Sequence, residues 1–233
     1  PEIYTLSLHD ARPISAYFIG RLQQDQPDVI MTGYGASLVE DFSQATKRII
    51  ASDRYRQVFP GVRVSPRDDS VTSWSIHGSS GRVSVAGLGG ALTGKGGNLI
   101  VVDDYCKKRS EAMSATYRKS VWEAFQSEVM TRRAPTTLVI VCGTPWHTDD
   151  LAGRIKAEMG RNPDFPRFEL MRFPAKNADG TWLFPERFDA IWYRQQYALL
   201  GRIAAALMDC SPVADGGNRF DVSRIRIHRS LDD

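Results

Sequence analysis

The most constraining feature of the sequence is the run Leu99-Ile100-Val101-Val102-Asp103-Asp104. Four consecutive apolar, mostly β-branched residues are typical of a strand buried on both faces, as in the parallel sheet of an α/β domain. Two carboxylates follow where this strand should leave the sheet, at the edge where open α/β folds bind ligands. Adjacent acids there suit a site that holds Mg²⁺ and polarises a water molecule, which is the layout of a Walker B segment. The alternative is an ordinary core strand followed by an acidic turn.

A second strongly apolar run, residues 137–142 (TLVIVC), is also predicted to be a buried strand. The polar segment GTPWHTDD follows it over residues 143–150. Two parallel strands joined by a helix present their carboxyl ends side by side, so we expect Thr144 and His147 to lie near the acidic pair. The alternative for His147 is a hydrogen-bonded turn histidine, and for Asp149 we favour a helix N-cap.

Shorter patterns predict helices and strands before the acidic run. Residues 16–22 are typical of the end of a helix, and residues 28–32 of a strand. Ser37 and Glu40 have the spacing of a capping box that opens a helix. The predicted buried face of this helix recurs at intervals of three and four residues: Leu38, Phe42, Ala45 and Ile49. Two short strands are predicted to form a hairpin, residues 71–76 and 82–86.

The glycine-rich segment GGALTGKG, residues 89–96, nearly matches the phosphate-binding pattern G-x-x-x-x-G-K-[ST]. A true phosphate loop follows a strand and opens a helix, and its last residue offers a hydroxyl to Mg²⁺. This segment leads into a strand instead, and Gly96 has no hydroxyl group. We therefore interpret it as a surface loop, in which Lys95 could still approach a phosphate or a DNA backbone.

Composition limits the class of protein. The chain has 233 residues, of which 42% are hydrophobic and 24% charged, as in a soluble globular protein with one large domain, or one domain and a fragment of another. No apolar run approaches the roughly 18 residues of a membrane span. The net charge of +3 argues little for or against nucleic acid. The widely spaced Cys106, Cys142 and Cys210 are typical of reduced thiols in a cytosolic setting.

Basic residues cluster after the acidic pair and again before the second apolar run. Lys107 and Lys108 belong to the first group, and Arg132 and Arg133 form the second. Such charges usually mark a solvated face, and the alternative is a surface that contacts DNA. Between the groups, an apolar stripe at intervals of four residues predicts a helix packed on the core: Met113, Tyr117, Val121, Phe125 and Val129.

The first residues need separate treatment. Residues 2–14, EIYTLSLHDARPI, resemble one translated reading frame of a common sequencing adapter, which differs only where Arg12 stands for Leu. We interpret them as a remnant of sequence assembly, so that the true protein extends upstream, and leave them out of the fold prediction. The alternative is a genuine amphipathic leader in which His9 and Asp10 are functional.

Five segments in order carry a resemblance to a known family: TGYGASLVEDFSQATKRII, GLGGALTGKGGNLIVVDD, EAMSATYRKSVWEAF, CGTPWHTDDLAGRI and LFPERF. Together they resemble the ATPase part of tailed-phage large terminase subunits, over residues 16–220. The resemblance implies an α/β fold of the P-loop NTPase type with an additional strand, whose mostly parallel sheet is flanked by helices and is incomplete here. It implies ATP and Mg²⁺ as cofactors. The implied partners are double-stranded DNA, a small terminase subunit, a portal protein and further copies of the chain. The implied location is the cytoplasm of an infected bacterium, transiently on the procapsid.

The resemblance assigns roles by position. Asp103 matches the Walker B acid that holds Mg²⁺ through its water shell, and Asp104 matches the catalytic carboxylate that orients the attacking water. That carboxylate is usually glutamate in related ATPases, so the reach of the shorter aspartate differs. Gly143 and Thr144, with His147 nearby, fall in the segment that resembles the coupling motif, which senses the γ-phosphate. Many relatives carry Arg where Pro145 stands, which leaves a charge-sensing role there in doubt.

The resemblance also divides the chain into three parts. Residues 1–15 are the adapter-like segment, residues 16–200 the ATPase domain without its phosphate loop, and residues 201–233 a linker and the start of a nuclease domain. The phosphate loop is expected upstream of the ATPase part, and the nuclease acids downstream of the chain. Two acids near the end do not replace the latter convincingly: Asp221 and Asp232.

Two functions of other classes remain compatible with these residues. A metal-dependent nuclease would cut DNA with Mg²⁺ or Mn²⁺ and without ATP, and would use four side chains directly: Asp103, Asp104, His147 and Asp149. A non-catalytic module that binds DNA or a portal would use the two basic groups, and its salt-sensitive binding would survive loss of both acids.

Overall fold

The computed structural model describes residues 3–4, 11–22, 27–90, 92 and 96–212. The predictions for His9, Asp10, Lys95, Asp221 and Asp232 lie outside this described part. The strands are β1 (Ile3–Tyr4), β2 (Val29–Gly33), β3 (Val64–Asp69), β4 (Ser73–Ile76), β5 (Arg82–Gly87), β6 (Gly97–Asp103), β7 (Arg133–Cys142) and β8 (Leu170–Met171). The helices are α1 (Ala11–Arg21), α2 (Ala36–Ala51), α3 (Asp53–Val58), α4 (Arg109–Ala112), α5 (Ala115–Ala124), α6 (Leu151–Arg161), α7 (Ala190–Leu200) and α8 (Ala204–Leu207).

One mixed sheet organises the described part of the chain. Its six strands have the order β3-β4-β5-β2-β6-β7. The neighbours among β5, β2, β6 and β7 are parallel, whereas β3 and β4 join through antiparallel pairs. Helices flank this sheet, so the predicted α/β class with a mostly parallel sheet is confirmed.

Strand β6 is buried on both faces, as its unbroken apolar run predicts. Leu99 and Val101 pack into one core layer with side chains of α1, α2 and the β4–β5 hairpin. Ile100 and Val102 pack into the opposite layer with α6 and the connection between β6 and β7. At about 25 cal/mol per Å² of apolar surface buried, such two-sided burial makes β6 a main contributor to stability.

The predicted hairpin is present as β4 and β5, which pair antiparallel, although β4 begins at Ser73 rather than residue 71. The strand β3, which sequence analysis missed, lies at the edge of the sheet and contains Pro66. Proline lacks the N–H that a ladder needs and is tolerated on edge strands, so a polar, proline-containing strand gives a weak signal in the sequence.

Helix α2 corrects two predictions. It begins at Ala36 with Gly35 as its N-cap and no side-chain cap, so Ser37 is already inside the helix and the predicted capping box is wrong. The prediction of Phe42 and Ala45 as buried holds, but Leu38 and Ile49 are only partly buried. The buried face includes two polar side chains that periodicity of apolar residues cannot find, Ser43 and Thr46.

The crossover from β6 to β7 runs through α4, α5, a π-helical turn (Phe125–Val129) and a 3₁₀ turn (Met130–Arg132). The predicted apolar stripe packs on the second core layer: Val121, Phe125 and Val129 are buried, and Met113 and Tyr117 partly so. The stripe is therefore core, as expected.

Segments from both ends of the described chain contact residues 170–175. Strand β1 pairs in parallel with β8 and lies against β7. Helix α1 begins at Ala11, five residues before the predicted helical segment and within the adapter-like part. At the other end, the Ala175 N–H donates to the Met208 carbonyl oxygen (2.6 Å), so residues before and after 200 are packed together. The domain boundary at residue 200 stays a prediction.

Within the described residues, no helix is both long enough and apolar enough to cross a membrane. All three cysteines carry free thiols, as predicted, with Cys106 and Cys142 buried.

Candidate active site at the carboxyl edge of the sheet

Three parallel strands end together at the acidic pair. Strand β6 lies between β2 and β7, and the register aligns Val102 with Thr32 on one side and Asp103 with Cys142 on the other. The expectation that the carboxyl ends of the two apolar strands lie side by side is therefore met in the backbone. Asp103 is buried at the last position of β6, and Asp104 is half-buried one residue beyond.

The peptide group of Asp104 is held from both neighbouring strands. Its N–H donates to the Cys142 carbonyl oxygen at 3.1 Å, and its own carbonyl oxygen accepts the Tyr34 N–H at 2.9 Å. Asp104 has φ +47°, in the left-handed region that Asp adopts more readily than most residues. The turn that carries the acidic pair is thus fixed by backbone hydrogen bonds on both sides.

Glycines on both flanking strands allow this close approach. A Cβ at Gly33 would lie 2.3 Å from the Asp103 carbonyl oxygen, and a Cβ at Gly143 would lie 2.9 Å from the Tyr105 ring. Contacts under 3.0 Å with backbone cannot be relieved cheaply, so Gly33 is required where it stands. Gly143 brings the loop that contains Thr144 against the residue that follows the acidic pair.

His147 is buried within the turn that follows β7. Its backbone N–H donates to Asp150 Oδ2 at 3.3 Å, and its Nδ1 accepts the Asp149 N–H at 2.9 Å. These contacts match the interpretation of a hydrogen-bonded turn histidine. The orientation of the ring is set by the turn itself.

The prediction of Asp149 as a helix N-cap is wrong by one residue. Asp150 caps α6, because its Oδ1 accepts the Gly153 N–H at 3.0 Å. Asp149 instead receives two hydrogen bonds from Arg154, at 2.9 and 2.8 Å, and one from Arg118 at 3.2 Å. The Arg154 and Arg118 guanidinium groups lower the pKa of Asp149. Two adjacent aspartates cannot be told apart as caps from sequence alone, since both precede the apolar face of the helix.

The four-residue nuclease centre receives no support from these contacts. The Asp149 carboxylate forms ion pairs with Arg118 and Arg154, and His147 Nδ1 accepts a backbone N–H. No group of three or more potential metal ligands occurs within the described residues.

The basic groups do not form one surface. Lys107 and Lys108 follow the carboxyl end of β6, whereas Arg132 and Arg133 lie at the start of β7. Strand β7 has ten residues, and ten residues at about 3.3 Å each span about 30 Å. Lys107 Nζ lies 5.8 Å from the Tyr34 ring centre, near the acidic pair. Only the first group therefore borders the candidate site.

Sequence reasoning missed the residues that hold this edge together: Gly33, Tyr34, Tyr105 and Asp150. The only available signal for Tyr105 was its place directly after two acids. A cavity of about 490 Å³ is lined by His147 and Asp150 of the loop, by α6 and by side chains near residues 170–172 and 210–212, and neither Asp103 nor Asp104 lines it.

Comparison with solved structures places this fold among phage proteins. The ATPase domain of the Thermus phage P74-26 large terminase matches 91% of this chain and 88% of its own length, with a TM-score of 0.56 and 14% identity. The large terminase of a second, thermophilic bacteriophage matches 84% of this chain, with a TM-score of 0.50 and 10% identity, and this chain spans 43% of that protein. No protein-family model and no curated protein sequence matches the chain.

The sheet and its flanking helices therefore have the P-loop NTPase fold. More narrowly, the fold is similar to that of the ATPase domains of phage large terminases.

Proposed function

We propose that this chain is the ATPase section of a motor that packages DNA into the procapsid of a tailed bacteriophage. The observation that carries the proposal is the meeting of three parallel strand ends at Asp103 and Asp104, in a fold shared with large terminase ATPase domains. Hydrolysis of ATP would drive translocation of double-stranded DNA, and a nuclease domain downstream of residue 220 would cut the genome.

The two acids, Asp103 and Asp104, would have different roles in ATP hydrolysis. Carboxylate oxygens are the ligands that Mg²⁺ prefers, and buried Asp103 at the strand end would hold the ion through its water shell. Asp104, half-buried and one residue further out, would orient the attacking water. Bound Mg-ATP supplies the phosphoryl group and the cation that neutralises its charge. Gly143 and Thr144, which follow the strand hydrogen-bonded to Asp104, would respond to the γ-phosphate.

The phosphate cradle would come from residues upstream of residue 16. The described part of the glycine-rich loop leads into β6 rather than into a helix, as expected. The Gly89 N–H donates a hydrogen bond to Glu128 Oε2 at 2.8 Å.

The proposed partners and location follow from the same family. They are double-stranded DNA, a small terminase subunit, a portal protein and further copies of this chain, in the cytoplasm of an infected bacterium and transiently on the procapsid. Lys107 and Lys108 are the DNA-contact candidates nearest the acidic pair, and Arg132 and Arg133 belong to a separate surface.

The test is Asp103→Asn in the protein with its uninterrupted upstream sequence. Loss of the carboxylate that holds Mg²⁺ is expected to lower the rate of phosphate release by at least about 100-fold. The exposed Asp53→Asn in α3 removes the same charge beyond the opposite end of α2 and should leave the rate unchanged. Near-normal turnover of Asp103→Asn would refute the assignment.

A further inference from the structure

Tyr105 connects the acidic turn to the loop after β7. It directly follows Asp104, is 2% exposed, and packs its ring against Gly143 so closely that no side chain fits there. Its backbone carbonyl oxygen accepts the Tyr117 hydroxyl at 3.2 Å, which ties the same turn to α5. A shift of Asp104 along the strand axis would therefore also move the Tyr105 ring, which packs against the loop that begins at Gly143.

Asp150 holds the other end of that loop. One carboxylate oxygen caps α6 through the Gly153 N–H, and the other accepts the His147 N–H. Asp150 is 3% exposed and lines the same small cavity as Tyr105, whose buried hydroxyl makes no hydrogen bond within the described part of the chain. The Asp150 carboxyl group thus binds the helix and the loop and lies beside the residue that follows the acidic pair.

The two side chains also close a small shared space. Tyr105, Asp150 and Arg118 line one cavity beneath the loop, together with apolar side chains of the second core layer. Burying a carboxyl group costs several kcal/mol unless its oxygens are satisfied, and both oxygens of Asp150 accept a backbone N–H here. Loss of the Asp150 carboxyl group would therefore release the loop as well as the first turn of α6.

We propose that Tyr105 and Asp150 are positioning residues, which fix the acidic turn against the loop containing Thr144. This inference rests on the proposed ATPase function. In that function, the two residues would connect Asp104, which orients the water, to the loop that carries Thr144. Each residue acts through others: Tyr105 through the turn of Asp104, and Asp150 through the loop that carries Thr144.

Hydrogen exchange on this 233-residue chain tests the physical link without any nucleotide. Asp150→Ser retains an N-cap for α6 but removes the second side-chain oxygen, which accepts the His147 N–H. We expect amide exchange to rise at least about tenfold both in residues 143–150 and in residues 103–105, because the loop that Asp150 holds packs through Gly143 on the Tyr105 ring. The matched control is Asp189→Ser, since Asp189 caps α7 through the Trp192 N–H at 2.7 Å, away from the site. A rise confined to the first turn of α6, or no rise, would overturn the proposal.

Kinetics in the uninterrupted protein test the functional part. Tyr105→Leu removes the ring that packs against Gly143, and its control is Tyr55→Leu, which removes a buried ring from the opposite core layer. Tyr105→Leu and Asp150→Ser should each lower kcat about tenfold with KM for ATP changed less than about twofold, and the double variant should be no slower than the slower single variant.

Loss of the positioning role and loss of the ATPase function would give different experimental results. Unchanged kcat in an active enzyme, or multiplicative losses in the double variant, would remove the positioning role and leave the ATPase assignment standing. A wild-type protein without ATPase activity would remove the proposed function, while the exchange experiment would still decide whether the two segments are linked.

Discussion

Asp104 shows how one backbone conformation selects a side chain. Its φ of +47° lies in the left-handed region, where a short polar side chain bonds locally and longer ones do not. Hydrogen bonds from Tyr34 and to Cys142 impose that conformation. An aspartate at this position therefore has a backbone reason, independent of any role in orienting water.

Replacing Asp104 by Glu tests this reason. We expect Asp104→Glu to lower the free energy of unfolding by about 1 kcal/mol relative to Asp104→Asn, because Asn tolerates positive φ and Glu does not. Urea denaturation of the two variants measures the difference. The control, Asp41→Glu on the exposed face of α2, should be neutral or slightly stabilising. Equal stability of the two Asp104 variants would contradict the account.

Because Asp150 is buried, its contribution to the free energy of unfolding should change with pH in a predictable direction. Desolvation raises the pKa of Asp150 above its usual value of 3.8. The native state therefore binds the proton of the Asp150 carboxyl group more tightly than the unfolded state does. The stability that this protonated group contributes is fully present below pH 3.8. It is lost as the pH rises through the native pKa. Asp150→Asn removes the titration.

The stability deficit of Asp150→Asn relative to wild type should consequently shrink as pH rises from 4 toward 7. Urea denaturation at a series of pH values gives this difference directly. A deficit that grows with pH would show that the carboxylate is stabilised in the native state and would contradict the raised pKa.

At the scale of elements, α2 is joined to the sheet by a buried polar contact. The Ser43 hydroxyl donates to the Val71 carbonyl oxygen at 2.6 Å and accepts the Trp74 Nε1–H at 3.0 Å. Trp74 is fully buried, so its indole N–H has no access to water. This contact fixes the rotation of α2, which explains why its buried face differs from the one predicted from apolar spacing.

Ser43→Ala should therefore destabilise the fold by about 1–3 kcal/mol, because it leaves the buried indole N–H without an acceptor. Ser37→Ala, at the exposed position once expected to cap the helix, should change the free energy of unfolding by less than about 0.5 kcal/mol. Thermal or urea unfolding of both variants provides the comparison. A larger loss at Ser37 than at Ser43 would restore the capping box and contradict the structure.

At the scale of the whole molecule, β7 is the last strand in the six-stranded order of the described part. Its residues 139–142 are buried although β6 is its only ladder partner among the described strands. A buried strand with one ladder partner suits a sheet that continues beyond it. The proposed upstream segment would pair on this side of β7.

This chain alone should bind Mg-ATP weakly. Tight phosphate binding needs several backbone N–H groups converging at a helix N-terminus, and we propose that these come from upstream residues. Isothermal titration calorimetry on the 233-residue chain is expected to give a Kd weaker than about 1 mM. Micromolar binding would contradict the proposal that the phosphate cradle is supplied from upstream, and Asp103→Asn in the same titration would show whether the acidic pair takes part.

The sequence by itself determined the centre of this protein. The apolar runs of β6 and β7 predicted parallel strands buried on both faces, because only such strands need no polar alternation. The acids placed at the end of β6 fixed the edge at which a site could form. The stripe through Val121, Phe125 and Val129 marked the crossover helix, because burial at helical spacing leaves a periodic trace.

Only the tertiary structure decided which side chains hold that site. Asp150 rather than Asp149 caps α6, Tyr105 wedges beneath Gly143, and Ser43 turns α2 toward Trp74. Each of these choices depends on a contact between residues distant in sequence. Apolar periodicity records burial along one element, whereas a polar group shared between elements leaves no periodic trace and is decided only when the elements pack together.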